Sequence, residues 1–247
     1  MPQFLPFDPL LRYDKSIPSE KVISMKRTKL ADRVLPTYSP AEETMNMITH
    51  IIGGVLGILA LVLCILRSAD HGSVSGVISS TIYGCSMIAL YTMSSVYHGL
   101  PPGMGKKVMQ VIDHCTIYLL IAGSYTPVMV CSMVPLHPGI GWGVLGIVWF
   151  LALFAAALTA IDLKAYRVFS MICYIAMGWC IVLFVPQLLQ VMAPQGFTLL
   201  LAGGISYTIG AVLYGLGKKH PWMHTVFHVF VVLGSLLQFL CIYQFVL

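Results

Sequence analysis

Seven long runs of apolar residues make up most of the chain. They lie near 46–66, 73–98, 108–131, 139–161, 168–190, 197–217 and 222–247. Each run is close to the roughly 20 residues that an α-helix needs to cross the hydrocarbon core of a bilayer. The gaps between the runs are short, and no repeat of roughly 20–50 residues is visible. The pattern therefore predicts an all-α membrane protein in which residues 42–247 form one bundle of seven transmembrane helices.

The composition supports the same class. Of the 247 residues, 58% are hydrophobic and only 9% are charged, whereas soluble domains carry about 25% charged residues. The charges crowd into the N-terminal segment and the gaps between apolar runs. We therefore expect a multi-pass integral protein of the cell membrane.

The positive charges predict the orientation of the bundle, because cytoplasmic loops of membrane proteins collect Lys and Arg. One side holds the N-terminal segment and the gaps after the second, fourth and sixth runs, with Arg12, Lys15, Lys21, Lys26, Arg27, Lys29, Arg33, Lys106, Lys107, Lys164, Arg167, Lys218 and Lys219. The other side has only Arg67, balanced by Asp70. The N-terminus is thus predicted to be cytoplasmic and the C-terminus extracytoplasmic. The net charge of +5 reflects topology and contact with anionic headgroups, not nucleic-acid binding.

Residues 1–41 lack both the apolar run and the periodicity of the rest. We expect a cytoplasmic tail, partly disordered or lying on the membrane surface, and no signal peptide, since no apolar h-region with a cleavage site follows the start. Ser39-Pro-Ala-Glu-Glu43 has the features of a helix start. The seven cysteines include no C-x-x-C pair, and we expect buried free thiols.

Five polar residues lie at the ends of apolar runs, where an ionisable group is costly without a partner. They are Ser94, His98, Asp113, His224 and His228. In the predicted topology, Asp113 lies about six residues into the third helix, or ~9 Å. His224 and His228 lie roughly 8–14 Å into the seventh, and His98 lies near the cytoplasmic end of the second. The five residues are therefore predicted to lie at similar depth in the cytoplasmic leaflet.

Their spacing points to a metal. His224 and His228 are four residues apart and share a helix face, as do Ser94 and His98. Three imidazoles with one open coordination position are typical of catalytic zinc, and Asp113 is placed to act as a base beside the metal-held water. The same histidines could instead hydrogen-bond between helices, and a serine such as Ser94 is more often a packing residue.

Other histidines are weaker candidates. His50, near the start of the first helix, is interpreted as a packed polar residue rather than a residue behind the metal ligands. His114 is adjacent to Asp113 but is expected on another helix face, so we exclude it as a ligand. His71, His137 and His220 fall in predicted loops and are expected to be solvated.

These motifs resemble those of the hemolysin III family, part of the wider progestin and adipoQ receptor superfamily that includes the adiponectin receptors. The similarity lies in the first-helix opening from Glu42 to Gly53, the third-helix segment from Asp113 to Pro127, the S-x-x-x-H of the second helix and the H-x-x-x-H of the seventh. It covers roughly residues 42–247, and the short loops resemble the bacterial branch more than the animal receptors.

The resemblance implies zinc held by His98, His224 and His228, with Asp113 holding a zinc-bound water and Ser94 beside it. Animal relatives are credited with hydrolysing lipid amides, so membrane lipids are the substrates that the resemblance suggests. Two further hypotheses stay open: a non-enzymatic membrane sensor with structural zinc, and the cytolysis for which the bacterial branch is named. The last is disfavoured, because pore-forming toxins are usually secreted in soluble form whereas this chain must insert into a membrane.

Overall fold

Seven helices long and apolar enough to cross a membrane dominate the computed structural model, which describes residues 27–216 and 220–247. They are α1 Pro40–Asp70, α2 Val74–Gly99, α3 Met104–Leu136, α4 Pro138–Ile161, α5 Arg167–Val191, α6 Pro194–Leu216 and α7 Met223–Phe245. The described part of the chain contains no strand. The seven predicted spans are confirmed. Of the predicted tail, residues 1–26 lie outside the described residues.

Short turns join the helices, so successive helices run in opposite directions. Helices α1, α3, α5 and α7 begin at one end of the bundle, called here the site end, and α2, α4 and α6 finish there. Helix α1 packs against both α2 and α7. At Gly84 of α2 an added Cβ would lie 2.5 Å from the Cβ of Leu61, so only glycine allows this approach of two transmembrane backbones.

The outer surface of the bundle is apolar. Large side chains such as Phe150, Leu183 and Leu66 are more than half exposed, whereas tyrosines such as Tyr83 and Tyr91 are fully buried. In water such an exterior would aggregate, but in a bilayer it faces lipid tails. The polar residues of the helices are thereby directed into the bundle.

Two helices depart from regular α geometry beside the interior cavity described below. Pro127 in α3 is followed by a π-helical segment, Val128–Met133, because proline cannot donate to the helical ladder. In α5 a 3-10 segment covers Cys180–Phe184. The Tyr125 hydroxyl spans this break: it donates to the Gly178 carbonyl and accepts from the Ile181 N–H, both at 3.1 Å. These bonds occupy backbone groups that lipid could not satisfy.

A strap formed by residues 27–39 crosses the site end before α1 begins. The Thr28 N–H donates to Asp162 Oδ2 at 2.6 Å, in the turn between α4 and α5, and Lys107 at the start of α3 donates to the Ala31 carbonyl. At its other end, Ser39 caps α1: its Oγ accepts from the Glu42 N–H, while Glu42 accepts from the Ser39 N–H. This capping box fits the helix start predicted from the sequence.

Candidate metal centre

Three histidine rings converge at the site end. His98 is the penultimate residue of α2, and His224 and His228 occupy the first two turns of α7. His224 Nε2 lies 3.2 Å from His98 Nε2 and 3.1 Å from His228 Nε2. Among the residues that the structure describes, these three form the only group of His, Cys, Asp or Glu side chains compact enough to hold a metal ion.

Hydrogen bonds from α1 orient two of the three rings. His98 Nδ1 lies 2.6 Å from Glu43 Oε2, and His228 Nδ1 lies 3.2 Å from the Asn46 carbonyl oxygen. Since a carboxylate and a carbonyl only accept hydrogen bonds, both Nδ1 atoms carry the proton. Each Nε2 therefore directs a lone pair toward the other rings, which is the usual arrangement of a metal-binding histidine.

The spacing of the nitrogens suits a tetrahedral ion. Nitrogens bound at 2.0–2.1 Å to tetrahedral zinc lie about 3.3–3.4 Å apart, close to the two observed separations of 3.1 and 3.2 Å. The other ring nitrogen of His224, Nδ1, is buried and has no hydrogen-bond partner within the described residues. The donor set and its geometry thus fit a divalent ion that prefers imidazole.

Asp113 and Ser94 line the same interior cavity as His224 and His228. Ser94 is 1% exposed, and its Oγ has no hydrogen-bond partner in the described chain. Asp113 contributes no atom to the compact histidine group. Both side chains therefore face the cavity and lie outside the histidine trio.

The depths differ from those predicted. Helix α3 begins at Met104, a turn earlier than expected, so Asp113 lies nine residues or ~14 Å from the helix start instead of ~9 Å. Helix α7 begins only at Met223, which places His224 in the first turn instead of ~8 Å along the helix. The residue types converge as predicted, but on two levels, with the histidines at the helix ends and the carboxylate further in.

Two other histidines lie beside the site. His50 is 3% exposed, and its ring stacks on that of His228 with centroids 3.6 Å apart. Neither of its ring nitrogens finds a partner among the described residues, which is unusual for a merely packed histidine. His114 bonds through Nδ1 to the Gln110 carbonyl at 2.8 Å and lies outside the histidine trio. It lines the same cavity as Asp113, so the expectation that it faces another direction is wrong.

The first turn of α1 also fixes the start of α7. Trp222 has a φ of 66°, a left-handed conformation that is uncommon for residues other than glycine. Its N–H donates to Glu42 Oε1 at 2.7 Å. One turn further, Thr225 Oγ1 donates to Asn46 Oδ1 at 2.6 Å. The His224 and His228 backbone is thus held against α1 by bonds that the sequence did not reveal.

Glu43 and Lys106 are the clearest residues that the sequence reasoning missed. Glu43 accepts from His98 through one oxygen and pairs with Lys106 Nζ at 2.8 Å through the other. One signal was available: Glu43, Asn46 and His50 are spaced three and four residues apart, so they share a helix face. That face is the one that meets the site.

Tyr38 of the strap covers the trio from outside the helices. Its ring stacks on the His224 ring with centroids 4.9 Å apart and planes 13° from parallel. Burial, reinforced by the nearby Tyr214, raises the pKa of the Tyr38 hydroxyl well above its usual value. The group is therefore a neutral hydrogen-bond donor, and its ring limits access to the histidines from the site end.

An elongated cavity of about 220 Å³ runs from the histidines into the bundle. Along α7 its lining extends from His224 to Gln238, fourteen residues or ~21 Å of helix. Asp113 and Ser94 line the cavity together with the histidines, and Ser124 and Gln238 add polar groups further along it. The rest of the lining is mostly apolar, with Leu120, Val128, Ile175, Phe197, Leu200 and Leu201 among the lining residues. The shape suits a molecule with a polar head and an apolar chain.

Comparison with known proteins gives a consistent result. The sequence model of the family described as "Haemolysin-III related" matches residues 38–239. "Hemolysin-3" of Bacillus cereus is 39% identical over 206 residues, covering 83% of this chain and 92% of the relative. "Hemolysin-3 homolog" of Bacillus subtilis (strain 168) is 39% identical over 205 residues, with 83% and 94% covered.

A more distant relative is "Monocyte to macrophage differentiation factor" of Homo sapiens, 25% identical over 176 residues, or 68% of this chain and 70% of the relative. The family match begins at Tyr38 and includes all the polar residues of the site, while most of the strap precedes it. With seven apolar helices and these matches, the chain is a multi-pass integral membrane protein. It belongs to the haemolysin-III-related family.

Proposed function

We propose that this protein is a zinc-dependent membrane hydrolase that cleaves amide or ester bonds of lipids. The observation that carries the proposal is the position of the histidine trio at the polar end of an apolar cavity inside a transmembrane bundle. A carboxylate, Asp113, and a buried hydroxyl, Ser94, line the same end. This combination offers a place for a scissile carbonyl beside the trio and a place for the attached chain further in.

His98, His224 and His228 would hold the ion, and zinc is the metal that three imidazoles with an open position most often hold in hydrolases. The ion would supply Lewis-acid polarisation of a carbonyl and acidify a water. Glu43 and the Asn46 carbonyl already orient two of the rings so that Nε2 offers its lone pair to the ion. The site is therefore preorganised by α1 before any ligand binds.

Asp113 is assigned the proton transfers. Its carboxylate accepts the proton of the water that attacks the carbonyl carbon, and it returns that proton to the amide nitrogen or ester oxygen as the bond to carbon breaks. The Ser94 Oγ, which has no partner among residues 27–216 and 220–247, donates to a polar atom of the substrate.

The shape of the cavity supports the selection of amphiphilic substrates. Its apolar lining along α3, α5, α6 and α7 takes an acyl chain, while the polar end takes the linkage to be cleaved. A water-soluble amide has no acyl chain to bury in the cavity. It therefore lacks the favourable binding free energy of about 25 cal/mol per Å² of buried apolar surface. Substrates are therefore expected to be amphiphiles that reach the site from the membrane.

The test compares wild type with Asp113→Asn, using Asp70→Asn as a matched control, since Asp70 is exposed at the opposite end of α1. Zinc content is measured by elemental analysis, and cleavage of a panel of lipid amides and esters is followed by mass spectrometry. Asn keeps the shape and one acceptor but cannot take a proton, so Asp113→Asn should retain zinc and lose about 10²- to 10⁴-fold in rate.

Equal cleavage by wild type and Asp113→Asn would contradict the proposal, as would wild type that cleaves no member of the panel. Zinc retained without any cleavage would instead support a non-enzymatic sensor in which the ion joins α2 and α7. In such a protein the same substitution would change stability or ligand binding but no turnover.

A further inference from the structure

A buried ion pair lies directly behind one of the candidate metal ligands. Glu43 Oε1 lies 2.8 Å from Lys106 Nζ, and Glu43 Oε2 lies 2.6 Å from His98 Nδ1. The side chain of His98 is fully buried and that of Lys106 is 4% exposed, whereas Glu43 is 19% exposed. In the described part of the chain, no other Lys or Arg forms such a pair with a carboxylate.

Lys106 ties three helices together. Besides Glu43 of α1, its ammonium donates to the carbonyl oxygens of His98 at 3.3 Å and Leu100 at 2.9 Å. These carbonyls end α2, where the helix dipole favours a cation. All three donors of the ammonium are thereby used, and Lys106 fixes the end of α2 that carries His98.

The pair also determines the chemistry of His98. The Lys106 ammonium compensates the charge of the Glu43 carboxylate, because a charge inside the bundle is tolerated only with a partner. An ionised carboxylate only accepts hydrogen bonds, so the proton of the neutral ring resides on Nδ1 and the lone pair on Nε2. The short hydrogen bond of 2.6 Å between Glu43 Oε2 and His98 Nδ1 also fixes the orientation of the ring. His228, by contrast, has only neutral groups behind its Nδ1, the Asn46 carbonyl and the Thr49 hydroxyl.

We propose that Glu43 and Lys106 are positioning residues that set the tautomer, orientation and metal affinity of His98. Neither residue lines the cavity. The inference rests on the proposed metal site but not on the proposed hydrolysis, since a structural ion would need the same support. It accounts for a lysine that is buried at the start of α3, where the sequence suggests an ordinary loop charge.

Zinc affinity tests this directly. Purified wild type, Glu43→Gln, Lys106→Met and the double variant are titrated with zinc against a chelating dye, and the thermal midpoint of each is measured without metal. Asp70→Asn and Lys164→Met are the controls, because both residues are exposed and lie outside the histidine trio. Glu43→Gln should bind zinc about 10- to 100-fold more weakly, Lys106→Met should be weakened in the same direction, and both controls should stay within about threefold of wild type.

The double variant separates positioning from folding. Glu43→Gln leaves the buried Lys106 ammonium without a carboxylate and should lower the metal-free midpoint, whereas Glu43→Gln/Lys106→Met removes that charge and should recover part of it. The zinc affinity of the double variant should stay low, because no carboxylate is behind His98. With cobalt(II) in place of zinc, Glu43→Gln should shift the visible absorption bands and Asp70→Asn should not.

Wild-type zinc affinity in folded Glu43→Gln, or affinity that recovers together with stability in the double variant, would overturn the proposal. If wild type binds no zinc, the proposed metal site fails and this inference fails with it. If wild type binds zinc and the affinities follow the expected order while no lipid is cleaved, the positioning role stands and only the proposed hydrolysis fails.

Discussion

Replacing His228 by alanine should remove most of the metal-binding capacity of the protein. His228 is 2% exposed, its Nε2 lies 3.1 Å from His224 Nε2, and its ring stacks on His50. Alanine deletes one of three nitrogens and leaves space where a ring was held. His224 and His98 would remain, on different helices, and two imidazoles rarely retain zinc against competition.

The expected magnitude follows from the number of ligands. Structural zinc sites with four protein ligands bind with about 10–16 kcal/mol, or about 2.5–4 kcal/mol per ligand. At about 1.4 kcal/mol per tenfold change in affinity, His228→Ala should weaken zinc binding roughly 10²- to 10³-fold. A His224→Ala/His228→Ala double variant should copurify with almost no zinc.

The assay is competition with a chelating dye, combined with elemental analysis of the purified protein. His114→Ala is the control, because His114 lines the same cavity but lies outside the trio. It should bind zinc as wild type does. A dissociation constant for His228→Ala within about threefold of wild type, or an equal loss in His114→Ala, would refute the assignment of the trio.

Two further predictions concern the topology and the strap. If the loop charges orient the bundle, a reporter that is active only outside the cytoplasm should be active when fused after Leu247 and inactive when fused after Lys164. The reverse pattern would show that the bundle has the opposite orientation. Burial opposes ionisation of Asp162, but the N–H groups of Thr28, Ala165 and Lys164 outweigh it and hold the pKa of Asp162 below its usual value. Because the pKa is lowered, the ionised Asp162 stabilises the strap above the ordinary value near 3.9, and this stabilisation is lost as the pH falls through the lowered pKa. Asp162→Asn should therefore speed proteolysis of the strap at neutral pH. In wild type, acid should speed this proteolysis only below about pH 4. Unchanged cleavage of the variant would exclude this anchoring role.

The seven helices were predictable because hydropathy is a local property of the chain. A run of apolar residues must be helical in a bilayer whatever its neighbours are, so spans such as Val74–Gly99 and Pro138–Ile161 end within a few residues of the predicted limits. The convergence of His98, His224 and His228 was predictable for a related reason. Short loops place alternate helix ends at the same side, and polar residues near those ends have few other partners.

The depth of Asp113 and the role of Lys106 depend on contacts between helices, which the sequence pattern does not contain. Lys106 was counted among the charges that orient the bundle, and its burial between Glu43 and the end of α2 could not be inferred from its position after a loop. The topology prediction nevertheless keeps its main support, because most of the positive charge lies elsewhere in the same segments.

Helix α1 supplies none of the three nitrogens, yet its first turns set the geometry of the site. Glu42 holds the Trp222 N–H at the start of α7, Glu43 holds His98 on α2, and Asn46 accepts from His228 through its carbonyl. A rotation or shift of α1 would therefore move two ligand-bearing helices at once. The capping box at Ser39 fixes where α1 begins, and the strap joins that point to the turn after α4. The geometry of the histidine trio is thus coupled to the strap through α1. A change in the strap is therefore expected to alter the affinity of the trio for zinc, even though no strap residue belongs to it.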